Sequence, residues 1–238
     1  MKMTEYRVEG FEDLEAVTFD HYNTLQYSTM ENQEDIIHPV IRSLKTRIDL
    51  DEGLFLEKYA EQDEKYRENE RETFIETTLD ELVLKALLDS EHYDAELAEI
   101  VKASVDHGLH TRRLTWYQDA EGTLLRLKDL GYKIGLISNT HWRWLPERKS
   151  EVQPFFDVVT LSYEHGYMKP HPSIFHTTTK GLGVRPAKCL HVGDNPFTDI
   201  HGAKQAGMRA AYVRRNELDA KADVIIQQLS ELMSCLDR

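Results

Sequence analysis

Asp20 ends a short apolar run, Ala16-Val17-Thr18-Phe19, and opens the polar stretch Asp20-His21-Tyr22-Asn23-Thr24-Leu25. A carboxylate at the end of a buried strand is placed to act as a nucleophile or a metal ligand. Three more polar clusters follow apolar runs further along. Ser138-Asn139-Thr140 comes after residues 133–137, and Lys169-Pro170 lies downstream of residues 158–161. Gly193-Asp194-Asn195-Pro196-Phe197-Thr198-Asp199 follows residues 189–192. Singly, each has an ordinary reading. Asp20 and Asp199 suit turns or caps, Ser138 and Asn139 suit any loop, and Lys169 suits a wet surface. Together, an Asp, a Ser, a Lys and an acidic pair at four successive strand ends form a pattern that chance seldom produces.

The elements that must position these residues fall into three blocks. Residues 14–25 read as one strand and its exit loop. Residues 30–113 are rich in helix formers and charge, with Ile36, Ile37, Val40, Ile41 and Leu44 at helical spacing. Leu54, Phe55 and Tyr59 repeat that spacing, as do residues 79–88 and 95–105. No strand is expected there. From about residue 115 the texture alternates. A helix over 121–130 stops at Gly131. Strands are expected at 133–137, 158–161 and 189–192, with later edge strands at 210–213 and 222–226. Helices at 172–180, 199–206 and 228–236 fill the gaps. Strands alternating with helices imply a parallel sheet with helices on both faces. Ligands then bind outside the carboxyl ends of the strands, where all four polar loops converge. The helical block is inserted after the first strand and stands over that edge as a lid.

Bulk properties narrow the function. The chain has 238 residues and a formal net charge of −13. That excess argues against holding nucleic acid backbones, which needs clustered Lys and Arg. It leaves room for a small anionic substrate. Cys189 and Cys235 form no CxxC pair and no disulfide framework, which suits a reduced, cytoplasmic setting. No stretch approaches a membrane span, so no membrane partner is expected. A monomer or homodimer fits equally well.

The four clusters, in this order, resemble those of the haloacid dehalogenase-like (HAD) hydrolases. The residues that carry the resemblance are Phe19-Asp20-His21-Tyr22-Asn23-Thr24-Leu25, Ile137-Ser138-Asn139, Lys169-Pro170-His171-Pro172-Ser173-Ile174-Phe175 and Val192-Gly193-Asp194-Asn195 with Asp199. The resemblance implies an α/β fold, with a Rossmann-like parallel sheet core and an inserted all-helical cap. Core segments 1–28 and 114–238 would flank a cap over 29–113. It implies Asp20 as covalent nucleophile, with Thr24 bracing its loop. Ser138 and the amide of Asn139 would bind the substrate anion, and Lys169 would ease the crowding of charge. Mg²⁺ would be held by Asp20, Asp194 and the backbone carbonyl of Tyr22. Asp199 would be an outer ligand or orient Lys169.

Two motifs then point in different directions. The family's phosphatases carry a second aspartate where this chain has Tyr22. A tyrosine, with an ordinary pKa of about 10, donates a proton but is a poor base. Tyrosine there is similar to the pattern of 2-haloacid dehalogenases, which expel halide and need no metal. Such enzymes have little use for Asp194 and Asp199 together, because unneutralised carboxylates repel one another. Arg42 and Arg47 are candidates for a dehalogenase's carboxylate-binding arginine, although a solvated helix face explains both.

The metal motif takes several residues acting together and carries more weight than one substitution. The expectation is therefore a Mg²⁺-dependent phosphatase acting on a small phosphorylated metabolite. A 2-haloacid dehalogenase and a non-catalytic phospholigand-binding module are the alternatives. The acid/base role falls to Tyr22, His21 or a cap residue, with His21 expected to point away from Tyr22. Trp142-Arg143-Trp144 reads as packing between core and cap before it reads as anion binding. The charge run at 61–72 is an exposed helix face, and Met168 is core.

Overall fold

The structure, a computed structural model, describes residues 11–28, 36–88, 95–111, 114–141, 143–215 and 218–236. Trp142 lies outside them. The chain runs through β1 (Ala16–Phe19) and β2 (Gln26–Ser28) into α1 (Ile37–Leu44), α2 (Glu52–Thr73), α3 (Leu79–Leu87) and α4 (Ala95–Thr111). It returns through β3 (Leu114–Trp116), α5 (Ala120–Asp129), β4 (Lys133–Ser138), α6 (Pro146–Val152) and β5 (Val158–Leu161). Then follow α7 (Ser162–His165), α8 (Pro172–Leu182), β6 (Cys189–Gly193), α9 (Gly202–Gln205), β7 (Arg209–Val213), β8 (Val224–Ile226) and α10 (Leu232–Leu236).

Six strands make one parallel sheet in the order β5-β4-β1-β6-β7-β8. Continuous apolar runs fit a sheet covered on both faces. Alternation along β1 sends Val17 and Phe19 to one face and Ala16 to the other. The first face packs on Leu124 and Leu127 of α5 and Leu232 of α10. The second packs on Ile174 and Phe175 of α8 and Ala203 of α9. Gly131, at φ 84°, stops the segment after α5 in the left-handed conformation that glycine tolerates.

Two expectations need correction. Residues 210–213 were expected at an edge, but β7 lies inside the sheet because the three-residue β8 covers it. The expected helix at 199–206 is a wide π-type turn, Pro196–His201, running into the four-residue α9. A two-stranded antiparallel pair was not expected at all. There β2 meets β3, with Tyr27 opposite Thr115, where the chain leaves the sheet and where it comes back.

Helices α1–α4 share a separate core of Val40, Ile41, Leu44, Phe55, Val83, Val101 and Val105. The long α2 is mostly exposed across the 61–72 charge run, where Arg67 pairs with Asp63 at 2.7 Å. These helices are tied to the sheet's loops at several points. Arg143 donates to Asp106 at 2.8 Å, to Asp80 and to the carbonyl of Lys102 at 2.9 Å. Leu79 N–H donates to His141 O at 2.6 Å, and Met168 N–H to Phe74 O at 2.9 Å. Met168 is buried against Tyr66 and Leu82, so its core partners come from the helical block. Arg143 is thus packing between layers, as its sequence position suggests.

Arg143→Met is expected to lower stability by about 1 kcal/mol, since partly exposed ion pairs contribute little more. The loss should be local. Amide exchange should rise first in α3 and α4 while the central strands keep their protection; equal loss in β1 and β6 would contradict a local tie.

Candidate active site

The register of the sheet brings the four polar loops together. Phe19 of β1 lies opposite Leu136 of β4 and Val192 of β6, so Asp20, Ser138 and Asp194 leave the same edge nearly level. The Asp20 amide continues the ladder, donating to Val192 O at 2.9 Å. Asp20, Ser138, Lys169, Asp194 and Asp199 are all buried.

Lys169 sits at the centre. Its Nζ donates to Asp20 Oδ1 at 2.5 Å and to Asp199 Oδ1 at 2.7 Å. Burial works against the ammonium, but the Asp199 and Asp20 carboxylates outweigh it and hold its pKa above the usual lysine value. Burial likewise opposes the Asp199 carboxylate. The charge of Lys169 and the proximity of His191 win, and Asp199 stays well below the ordinary range. Asp199 Oδ2 also accepts from Asn195 N–H at 2.9 Å. Asn195 in turn caps the wide turn, its Oδ1 accepting from Phe197 N–H and Thr198 N–H. So Asn195, not Asp199, is the cap, and Asp199 makes its contacts with Lys169 and the Asn195 amide.

The other two carboxylates differ. Burial raises Asp20 to about 6, although Lys169 pulls it down. Burial, then the charges of Asp20 and Asp199, raise Asp194 to about 7. Thr24, fully buried, directs its hydroxyl at Asp194 Oδ1, 3.4 Å away. Asp20, Asp194 and Asp199 each offer an oxygen, all within 4.8 Å of one another. Three carboxylates around one ammonium leave the cluster short of positive charge. Hard oxygen donors and a charge deficit are what Mg²⁺ requires. The residues present fit that ion.

The remaining positions singled out in the sequence fall as follows. The expectation for Asn139 concerned its backbone amide. Its side chain has a further use, clamping the backbone of Lys169: Oδ1 accepts from Lys169 N–H at 2.7 Å and Nδ2 donates to Lys169 O at 2.9 Å. Tyr22 is half-buried and lines a cavity of about 550 Å³ together with Ser138 and Asn139. His21 lines that cavity as well, because the extended chain ends at Phe19 and strand alternation no longer applies. Arg42 is exposed, and Arg47 bonds to Ser43 beside it; neither lines the cavity.

His191 was missed. It is fully buried in β6, 3.0 Å from Thr18 Oγ1 through Nδ1 and 3.5 Å from Asp199 through Nε2. Burial lowers its pKa. The one available sign was a polar residue inside an apolar run.

Comparison with known proteins agrees with this geometry. A family model described as haloacid dehalogenase-like hydrolase matches residues 14–207. The chain is 36% identical over 141 residues to glyceraldehyde 3-phosphate phosphatase of Pyrococcus furiosus, covering 54% of this chain and 59% of that protein. It spans about half the length of the curated relatives that it matches. Among solved structures, a 2-haloacid dehalogenase from Pseudomonas syringae pv. Tomato DC3000 superposes with a TM-score of 0.68 at 24% identity, covering 92% of this chain and 96% of that one. A HAD phosphatase from Thermococcus onnurineus gives 0.60 at 28% identity, with the same coverage.

Two outcomes follow from the charge balance and the packing. Asp20 and Asp194 bind protons more tightly folded than unfolded, so their contribution falls as pH rises from about 4 through 6 and 7. With chelator present, the melting temperature should therefore decline between pH 5 and 7.5. Added Mg²⁺ should raise it far more at pH 7.5 than at pH 5, and Asp194→Asn should flatten the slope. A Mg²⁺ shift independent of pH would contradict this.

The second concerns Gly193, where a Cβ would meet Asp199 atoms at 2.4 Å. Gly193→Ala should displace Asp199 from Lys169, lowering stability by about 1–3 kcal/mol. Thermal melting and turnover measured together should both fall.

Proposed function

This chain belongs to the haloacid dehalogenase-like hydrolases, and from that premise we propose that it is a Mg²⁺-dependent phosphatase of small phosphorylated metabolites. The observation that carries the reading is the deficit of positive charge around Asp20, Asp194 and Asp199, with Lys169 already shared by two of them. A phosphatase relative at 36% identity supports the same reaction class. In this reading residues 29–113 are a cap over the sheet edge.

The roles follow from position. Asp20 attacks the phosphorus, forming an aspartyl phosphate as the alcohol leaves. Lys169 keeps Asp20 ionised and oriented, and Asp199 and Asn139 hold Lys169 in place. Ser138 donates to a phosphoryl oxygen as charge builds there. Tyr22, on the cavity wall, gives the departing alcohol its proton. Water then cleaves the acyl phosphate. Asp20 and Asp194 with the Tyr22 carbonyl would hold Mg²⁺, which supplies charge neutralisation at the transferring group. A tyrosine in place of a carboxylate weakens base help, worth roughly 10²–10⁴-fold, so turnover should be slow.

The chemistry of Asp194 and Asp199 disfavours halide displacement, which gains nothing from a bound cation. The test is a panel of phosphate monoesters and 2-chloropropionate, each with Mg²⁺ and with chelator. Phosphate release that requires Mg²⁺ and disappears in Asp20→Asn is the expected result. Halide release in chelator, or phosphate release surviving Asp20→Asn, would sink the reading.

A further inference from the structure

Arg148, on α6, lines the same cavity as Ser138, Asn139 and Tyr22. Its guanidinium is pinned by one corner. Nη1 donates to Gln26 Oε1 at 3.0 Å and to Glu151 Oε2 at 3.1 Å. Gln26 is fully buried, and its Nε2 donates to Glu151 Oε1 at 2.7 Å. An arginine only donates and a carboxylate only accepts, so this pair fixes which way the Gln26 amide faces. Gln26 Oε1 then accepts from His21 Nε2 at 2.8 Å, and the His21 ring packs 4.9 Å from Trp144. The corner is therefore locked into a buried network reaching back to the residue after Asp20. The opposite edge is different. The side chain keeps 18% of its exposure, and among the described residues neither Nε nor Nη2 makes a hydrogen bond.

We propose that Arg148 reads the leaving group, and that the substrate is a phosphate monoester whose alcohol portion carries a carboxylate. The proposal rests on the phosphatase reading. The planar Nε–Nη2 edge matches two carboxylate oxygens, and its fixed corner leaves little rotamer freedom to lose on binding. Glu151 offsets part of the charge, which suits a monoanion better than a second phosphate dianion. The cavity of about 550 Å³ admits a compound of a few carbons. Among the described residues the other arginine lining this cavity, Arg143, is engaged by Asp80 and Asp106.

Calorimetric titration with Mg²⁺ present, using 3-phosphonopropionate and propylphosphonate, tests this directly. Wild type is expected to bind the carboxylated compound roughly 10- to 100-fold more tightly, the range of one charge-assisted pair. Arg148→Met should abolish that ratio. Glu151→Gln should enlarge it, because the guanidinium keeps an acceptor and loses the opposing charge. Equal binding of both phosphonates by wild type overturns the proposal, as does an unchanged ratio in Arg148→Met. If Arg148→Met does not fold, a ratio that stays level or falls in Glu151→Gln overturns it instead. Turnover of an aryl phosphate separates the two levels of inference. Turnover with equal phosphonate binding removes the Arg148 role alone. No turnover and no binding of either phosphonate removes the phosphatase reading, and this proposal with it.

Discussion

One buried ammonium organises the site. Lys169 Nζ touches Asp20 and Asp199 in a region with almost no access to water, where an unpaired charge of either sign would be costly. The surrounding structure is arranged to keep that contact. Asn139 grips the lysine's backbone from the next strand's loop, and Asn195 shapes the wide turn that delivers Asp199. Gly193 has no side chain because Asp199 occupies the space where one would be. His191 and Thr18 extend the same polar contact inward between strands that otherwise bury only apolar groups.

The ammonium does not balance the cluster, and the imbalance is informative. Asp199 is ionised at the expense of its neighbours, and Asp20 and Asp194 are pushed toward protonation. A site built only for stability would not keep a third carboxylate next to a pair that already satisfies one lysine. Under the proposed function, a divalent cation and an anionic substrate would each lower the cost of the other there.

Much of this was legible in the chain because several of the site residues directly follow an apolar run. Asp20, Ser138 and Asp194 are found by locating strand ends, and the parallel sheet follows from strands separated by helices. Other features depend on contacts between residues distant in sequence, which leave no local mark. Asn139 reads as part of a donor loop, but its side chain is used on Lys169, thirty residues away in the alignment of two loops. Gln26 carries no mark in the sequence, and its fixed orientation depends on Arg148 and Glu151. The position of β7 was misjudged because three residues of β8 suffice to cover it. The turn at Asp199 departs from α-helix because the carboxylate must reach both Lys169 and the Asn195 amide.

The β2–β3 pair carries a consequence for how such a protein can change over time. Outgoing and returning chain are hydrogen-bonded side by side, so everything between them is, topologically, a single long loop closed at its neck. Replacing the contents of a loop whose ends already meet costs little closure entropy. The six-stranded sheet does not depend on the intervening sequence for its register, which is set by neighbours on either side of β1. The helical block can therefore be exchanged, lengthened or reshaped as a module while Asp20, Asp194 and Asp199 keep their places.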